Sequence, residues 1–226
     1  MKITYLGQAG LLFETGGKTI VIDPYLSDSV AKIEPQNVRR TPIDERFLQI
    51  QPDVIVVTHN HADHLDKETL CHYLTAESKT LVLAPRSAWQ ELRKFGGLDN
   101  RYIAFNAGTT WTEDEIVFQA VKAEHSDEYA IGVILSAEGK NYYITGDTLY
   151  SERVFESLPK TAIDVVFLPV NGVGNNMTFA DAKRFAQRIK AKKTMPIHIG
   201  TFDNLNAEGW DCKNKVIPSL YEEINL

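Results

Sequence analysis

The sequence predicts an α/β (α+β) fold in which two β-sheets pack face to face with helices on their outer surfaces. Two observations carry this expectation. The predicted elements run β-rich, then α/β, then β-rich, then α/β, which gives two β-rich halves that each carry helices. The runs Val54-Ile55-Val56-Val57 and Val165-Val166-Phe167-Leu168 read as short strands buried on both faces. No Gly/Ser/Pro-rich linker divides the chain and no internal repeat is seen, so residues 1–226 are expected to form one domain.

The first strand, Lys2–Leu6, precedes Gly7-Gln8-Ala9-Gly10. Leu11–Thr15 and Thr19–Ile22 flank Gly16-Gly17 as a hairpin that Asp23-Pro24 ends. Residues 28–51, with Pro35, Pro42 and Arg39-Arg40, are the least patterned stretch and read as a loop with short helical pieces, of a length often found in lids or binding loops. Val54–Thr58 is a strand. Asp66–Ala76 and Arg86–Phe95 read as helices on either side of the strand Thr80–Ala84. Tyr102–Asn106, Ile116–Glu124, Ala130–Ser136 and Tyr142–Thr145 are strands, with Glu138-Gly139-Lys140 turning between the last two. Ser151–Leu158 is a short helix and Asp164–Val170 a buried strand. Thr178–Lys190 is an amphipathic helix carrying Phe179, Ala182, Phe185, Ala186 and Ile189 on one face, and Thr194–Ile199 closes the pattern.

Composition narrows the function classes. The chain has 226 residues, 43% hydrophobic and 24% charged, enough to bury a full core without staples. Lys and Arg number 24 against 30 Asp and Glu, a net charge of −6, so the broad basic footprint of a nucleic-acid binder is absent. The longest apolar runs have four residues, far below the roughly 18 needed to span a bilayer. The N-terminus alternates like a strand and lacks a signal-peptide core, so a cytoplasmic location is expected. Cys71 and Cys212 are read as two free thiols.

Three of the six histidines fall within His59-Asn60-His61-Ala62-Asp63-His64, directly after the strand Val54–Thr58. A buried strand that breaks into polar residues is a poor way to build a core and a good way to present imidazoles and a carboxylate, the ligands of first-row divalent metals. His59 and His61 are two apart and share a side of an extended segment, whereas Asp63 and His64 lie past a turn. That spacing suits two adjacent metals better than one; a polar loop that happens to be His-rich is the plain alternative. His125, Asp147 and His198 each lie where a predicted strand ends. Only His72 is left, on a predicted helix, and it is read as structural or surface.

The set His-x-His-x-Asp-His, then a His, an Asp in a Gly-Asp context and a final His resembles the metallo-β-lactamase fold from about Lys2 to Phe202. The resemblance implies a four-layer αββα sandwich with the site at one edge of the two sheets. The segments Lys2–Gly10, Asp23-Pro24, Thr58–Asp66, Asn171–Thr178 and Pro196–Phe202 resemble the branch of ascorbate-6-phosphate lactonase-like and UPF0173-type hydrolases. Leu65-Asp66 replaces the Gly-Gly usual in glyoxalase II and quorum-signal lactonases, and His61 replaces the Glu usual in flavin-linked di-iron members.

The resemblance implies that His59, His61 and His125 hold one metal, that Asp63, His64 and His198 hold a second, and that Asp147 bridges them. A water between the metals then becomes the nucleophile, its pKa lowered from 15.7 to about 7. Asp63 and Asp147 are the expected catalytic carboxylates, Asp63 by orienting that water or taking its proton. Zinc is the first expectation for both ions, with manganese, iron or nickel as alternatives. Asp66 and Thr148 are candidate supports for the ligands, with helix capping and loop hydrogen bonding as the alternative. Asn176 and Thr178, at a helix N-terminus, are candidate contacts to a substrate oxyanion or phosphate. The expected activity is hydrolysis of a small anionic ester or lactone. A phosphodiesterase acting on a phospholipid-like or cyclic nucleotide substrate is the first alternative, and a metal-binding regulatory protein without turnover is the second. The expected partner is a small molecule, with no nucleic acid and no membrane span; a homo-oligomer is compatible with this reading.

Overall fold

The computed structural model describes residues 1–226. Six strands form the first sheet, in the spatial order β1 (Lys2–Gly7), β2 (Gly10–Thr15), β3 (Lys18–Ile22), β4 (Val54–Val56), β5 (Leu81–Ala84) and β6 (Arg101–Ala104). Another six form the second: β7 (Thr110–Glu113), β8 (Ile116–Lys122), β9 (Ile131–Ala137), β10 (Lys140–Ile144), β11 (Val165–Pro169) and β12 (Lys193–Ile197), again neighbours in chain order. Helices α1 (Lys67–Tyr73) and α2 (Arg86–Phe95) follow β4 and β5; α3 (Glu152–Ser157) and α4 (Phe179–Ile189) follow β10 and β11.

Strand periodicity explains the layering. Val54 and Val56 face the second sheet while Ile55 faces the helices; Val165 and Phe167 face the first sheet while Val166 and Leu168 turn outward. The two inner faces merge into one core of 26 buried residues, in which Phe13 meets Tyr142 and Phe167 edge-on at 5.9 and 6.1 Å. The outer face of the first sheet packs on Leu70 and Tyr73 of α1 and Ala88 and Leu92 of α2. That of the second packs on Val154 of α3 and Ala182 and Phe185 of α4. The order of layers is therefore αββα, as the resemblance implied.

Several boundaries differ from the expectation, each for a local reason. The strand Val54–Thr58 leaves the ladder after Val56 because the Asp23 carboxylate takes the Thr58 N–H at 2.7 Å. Helix α1 stops at Tyr73, capped by the Leu74 N–H on Leu70 O, and does not reach Ala76. Strand β7, with its mixed sequence Thr110-Trp111-Thr112-Glu113, was not expected; it is an edge strand whose pattern is mostly polar. The segment 28–51 is a loop with two short 3-10 turns, Val30–Lys32 and Glu45–Gln49, as expected. The last twenty residues carry no predicted element, yet Trp210 and Ile224 are buried, and the indole donates to Phe179 O at 2.9 Å.

Topology gathers one set of strand ends. Strand β1 runs antiparallel to β2, β2 antiparallel to β3, and β3 parallel to β4, so β1, β3 and β4 point the same way. By the same count β8, β10, β11 and β12 point together. The residues just past the C-terminal ends of these strands include Gln8, Asp23, His59, His125, Asp147 and His198.

Candidate metal centre

The segment after β4 is pinned before it delivers its ligands. Thr58 donates its N–H and Oγ1–H to the two oxygens of buried Asp23, at 2.7 and 2.5 Å. The Asn60 N–H is held by Asp127 Oδ2 at 3.1 Å, and a turn closes where the His64 and Leu65 amides donate to His61 O. Gly146 is obligatory on the facing sheet: its φ is +60°, and a Cβ there would stand 2.7 Å from Ile131 O and 3.1 Å from Thr58 Cβ. That close approach brings Asp147 against the histidine segment.

The seven expected ligands converge. His59, His61 and His125 place one ligand atom each within 4.8 Å of one another; so do His59, His64 and Asp147, and so do Asp63, His64 and His198. His61 Nδ1 lies 3.1 Å from His125 Nε2. His198 Nε2 lies 3.0 Å from Asp63 Oδ2 and 3.1 Å from Asp147 Oδ2. Asp147 Oδ1 is 3.2 Å from His64 Nε2, and Asp147 Oδ2 is 4.0 Å from His125 Nε2, so this carboxylate lies between the two ends of the cluster.

The donor set fits divalent cations. His59 Nε2, His64 Nε2 and Asp147 Oδ1 are all buried and make no hydrogen bond. Buried polar atoms are normally satisfied, and three unpartnered polar atoms gathered in one polar site are what a cation would complete, displacing the His64 proton. Imidazole nitrogens and carboxylates are the donors that zinc and its neighbours prefer.

Charge is distributed unevenly across the site. Burial and the neighbouring histidines hold His59 neutral, well below the ordinary histidine range; burial lowers His125 as well. Burial also opposes charge on His64, but Asp147, Asp63 and Asp23 outweigh it and raise its pKa well above the usual value. Likewise, Asp147 and Asp63 overcome burial at His198 and push it up to about 10. Asp63 and Asp147 stay ionised because His64 and His198 outweigh the cost of their burial.

Some supporting residues went unread in the sequence. Asp23 Oδ2 accepts the His64 Nδ1–H at 2.7 Å, which leaves Nε2 free to ligate, the usual arrangement of a carboxylate behind a metal-binding histidine. Gln8 donates from Nε2 to Asp63 Oδ2 at 2.7 Å, and its carbonyl accepts the His198 N–H at 2.7 Å. The sequence showed both at strand ends, within segments that resemble the UPF0173-type branch, with no role of their own. Their unusual backbone, φ +50° at Gln8 and +44° at Asp23, matches that of His198 at +57°.

Most of the other candidate residues have partners within the protein. Asn176 is buried, and its amide donates to Asp147 Oδ2 at 2.7 Å while its Oδ1 accepts the Thr148 N–H at 3.1 Å. It orients Asp147, and it also lines the cavity in front of the site. Thr178 caps α4, exchanging hydrogen bonds with Asp181, and does not line the cavity. Thr148 ties loops together, its Oγ1 accepting the Glu124 N–H at 2.9 Å beside His125. Asp66 caps α1 and accepts from Ser29 Oγ, the capping alternative. His72 is exposed on α1, outside all three ligand groups.

Residues 18–199 match a family model described as a β-lactamase superfamily domain. Over 222 residues the chain is 30% identical to a UPF0173 metal-dependent hydrolase of Geobacillus sp. strain WCH70, covering 89% of this chain and 87% of the relative. Igni18, a metallo hydrolase from the archaeon Ignicoccus hospitalis, is similar in structure, with a TM-score of 0.75 at 21% identity, over 99% of this chain and 97% of that one. An isothiocyanate hydrolase from Delia radicum gut bacteria gives a TM-score of 0.76 at 18% identity, over 100% and 99%. The two structural likenesses show a shared fold. With its αββα layers and clustered histidines, the chain belongs to the β-lactamase superfamily and has the metallo-β-lactamase fold; within it, the chain is of the UPF0173 type.

Proposed function

We propose that this protein is a metal-dependent hydrolase that cleaves a small ester or lactone at a site holding two divalent cations, zinc first among them. The observation that carries the reading is the sharing of Asp147. Three overlapping ligand groups, with one carboxylate reaching both ends, are more than a single structural ion needs. His59, His61 and His125 would hold one cation, Asp63, His64 and His198 the other, and Asp147 both.

When bound, the cations supply an acidified water and polarise the oxygen of the attacked group. The protein's own residues set the geometry. Asp23 fixes the His64 ring so that Nε2 faces the site, and Asn176 holds Asp147 by one oxygen, leaving Oδ1 directed at His64. Gln8 fixes Asp63 through Oδ2; Asp63 Oδ1, without a hydrogen bond in the protein, accepts the proton of the attacking water. Asp63 is the carboxylate of the pair that is part-exposed to the cavity, which suits that role over the buried Asp147.

The cavity does not favour the negative charge first expected of the substrate. No Lys or Arg lines the cavity in front of the site, so only the cations themselves would attract an anion. No helix is long and apolar enough to cross a membrane. We place the protein in the cytoplasm on its two free cysteines.

The test is zinc reconstitution of chelator-stripped protein, followed by a panel of carboxylic esters, lactones and bis(p-nitrophenyl) phosphate. Two equivalents of zinc and turnover of carboxylic esters or lactones are expected. One equivalent unchanged by His198→Ala removes the two-cation site. Turnover confined to the phosphodiester selects the phosphodiesterase reading, and a loaded protein without turnover selects the regulatory one.

A further inference from the structure

The cavity in front of the metal centre has a volume of about 710 Å3 and is bordered by the loop after β3 and the loop between β11 and α4. Its charged lining outside the ligands is acidic, from Glu34 and Asp203. Basic residues do occur on the bordering loop, but each is engaged elsewhere. Lys32 pairs with Glu68, and Arg46 pairs with Asp44. The Arg39 guanidinium donates to Tyr25 O at 2.7 Å, Thr41 O at 3.0 Å and Tyr221 Oη at 3.2 Å. Arg40 donates to Phe202 O at 3.0 Å and Asn204 Oδ1 at 3.3 Å.

Two of the exposed residues lining the same cavity are aliphatic. Ile33 is 70% exposed and Val173 65% exposed, and both line it, as does half-buried Phe202. Neither Ile33 nor Val173 belongs to or packs against any of the three core clusters. Two large aliphatic side chains on different loops, both bordering a polar metal centre and unused by the core, have the character of an apolar subsite.

Resting on the hydrolase reading above, we propose that the substrate is an uncharged ester or lactone whose apolar acyl arm packs on Ile33, Val173 and Phe202, and that Glu34 and Asp203 disfavour carboxylate-bearing substrates. Specificity against anions then comes from like charge at the rim, and preference for longer arms from burial.

The experiment compares acetyl, butyryl, hexanoyl and hemisuccinyl esters of one phenol on the zinc-loaded protein. A fully buried methylene is worth about fourfold (about 0.8 kcal/mol), and half that burial about twofold, so hexanoyl, longer by four methylenes, should exceed acetyl about sixteenfold in kcat/KM. Hemisuccinyl should fall well below butyryl. Ile33→Asp and Val173→Asp, at exposed positions that leave the fold alone, should raise KM for hexanoyl more than for acetyl. The double variant Glu34→Lys, Asp203→Lys should improve hemisuccinyl relative to butyryl. A wild-type preference for hemisuccinyl, or a chain-length profile that is flat or untouched by both Asp variants, overturns this inference and leaves the hydrolase reading standing. Failure to cleave any of the four esters or a lactone overturns both.

Discussion

Asp23→Asn is the sharpest probe of how this centre is built. Three donors converge on the two Asp23 oxygens: Thr58 N–H at 2.7 Å, Thr58 Oγ1–H at 2.5 Å and His64 Nδ1–H at 2.7 Å. Asparagine keeps the shape but offers one acceptor oxygen and an NH2 group, so at least one buried donor loses its partner. An unmet buried donor costs about 1–3 kcal/mol, and a chain of this size shifts by about 2–4 °C per kcal/mol, so the metal-free Tm should fall by roughly 2–12 °C. If the new amide faces His64, the ring must carry its proton on Nε2, the atom that should ligate. Loss of such a partner typically weakens metal binding about 10–100-fold. The assay pairs thermal melts of the stripped protein with zinc competition against a chromogenic chelator. Asp66→Asn is the control: asparagine caps α1 as well as aspartate does, but Asp66 takes hydroxyl donors on both oxygens, from Ser29 and Thr69, so the amide strands one and should cost about 1–3 kcal/mol with zinc affinity unchanged. An Asp23→Asn protein with wild-type Tm and zinc affinity would refute the orienting role; equal zinc loss in Asp66→Asn would show the effect to be general softening.

Asp147→Asn should fold yet hold at least one cation fewer and lose most turnover, because the shared charge that offsets repulsion between two cations is gone; metal stoichiometry checks this. His61→Ala and His125→Ala should abolish hydrolysis and weaken metal retention, whereas His72→Ala, exposed on α1, should match wild type in both. In the metal-free protein His198 titrates at about 10, so zinc loading at pH 7.5 should release its proton and that of His64, and apparent affinity should keep climbing towards pH 10; calorimetry in buffers of differing ionisation enthalpy reads the release. The sign for stability is opposite: pKa values raised above 6.5 stabilise the metal-free fold below that pH, and the contribution is lost as pH rises through about 10.

The clustering of these histidines and aspartates was legible because their chemistry conflicts with their setting. Histidines and aspartates that interrupt or end apolar strands have no structural purpose that a turn residue would not serve better. The αββα layering was legible because both sheets are buried on two faces, which writes continuous apolar runs such as Val165–Leu168. Strand β7 and the buried Trp210 were not legible: an edge strand is mostly polar, and a lone indole gains its partner, Phe179 O, only from tertiary contact. The Asn176–Asp147 hydrogen bond was hidden for a related reason. A helix N-terminus near a polar loop suggests an anion site, but only the fold reveals that Asp147 already occupies that amide at 2.7 Å.

Gln8 and Asp23 show where the limit lies. Each sits one residue past the C-terminal end of a strand, as His198 does, and all three share a left-handed backbone. A β-strand cannot continue through that conformation, so the chain turns and the side chain is delivered at the sheet edge. The cost of such a backbone is of order 1–3 kcal/mol per residue, and it persists only where the surroundings over-determine it. Here they do: Gln8 is held by Thr201 and His198 through its backbone, and Asp23 by Thr58 and His64 through its carboxylate. In sequence a glutamine or aspartate at a strand end reads as punctuation, because those types are common in turns. What distinguishes these two is direction, and direction follows from parity: strands β1, β3 and β4 point the same way, so residues far apart in the chain are brought to one edge. A strand-end polar residue on a strand of opposite sense would emerge at the far edge and could never meet His64. Assigning sheet order and sense before searching for ligand partners therefore separates Asp23 from ordinary turn residues, which residue type alone does not.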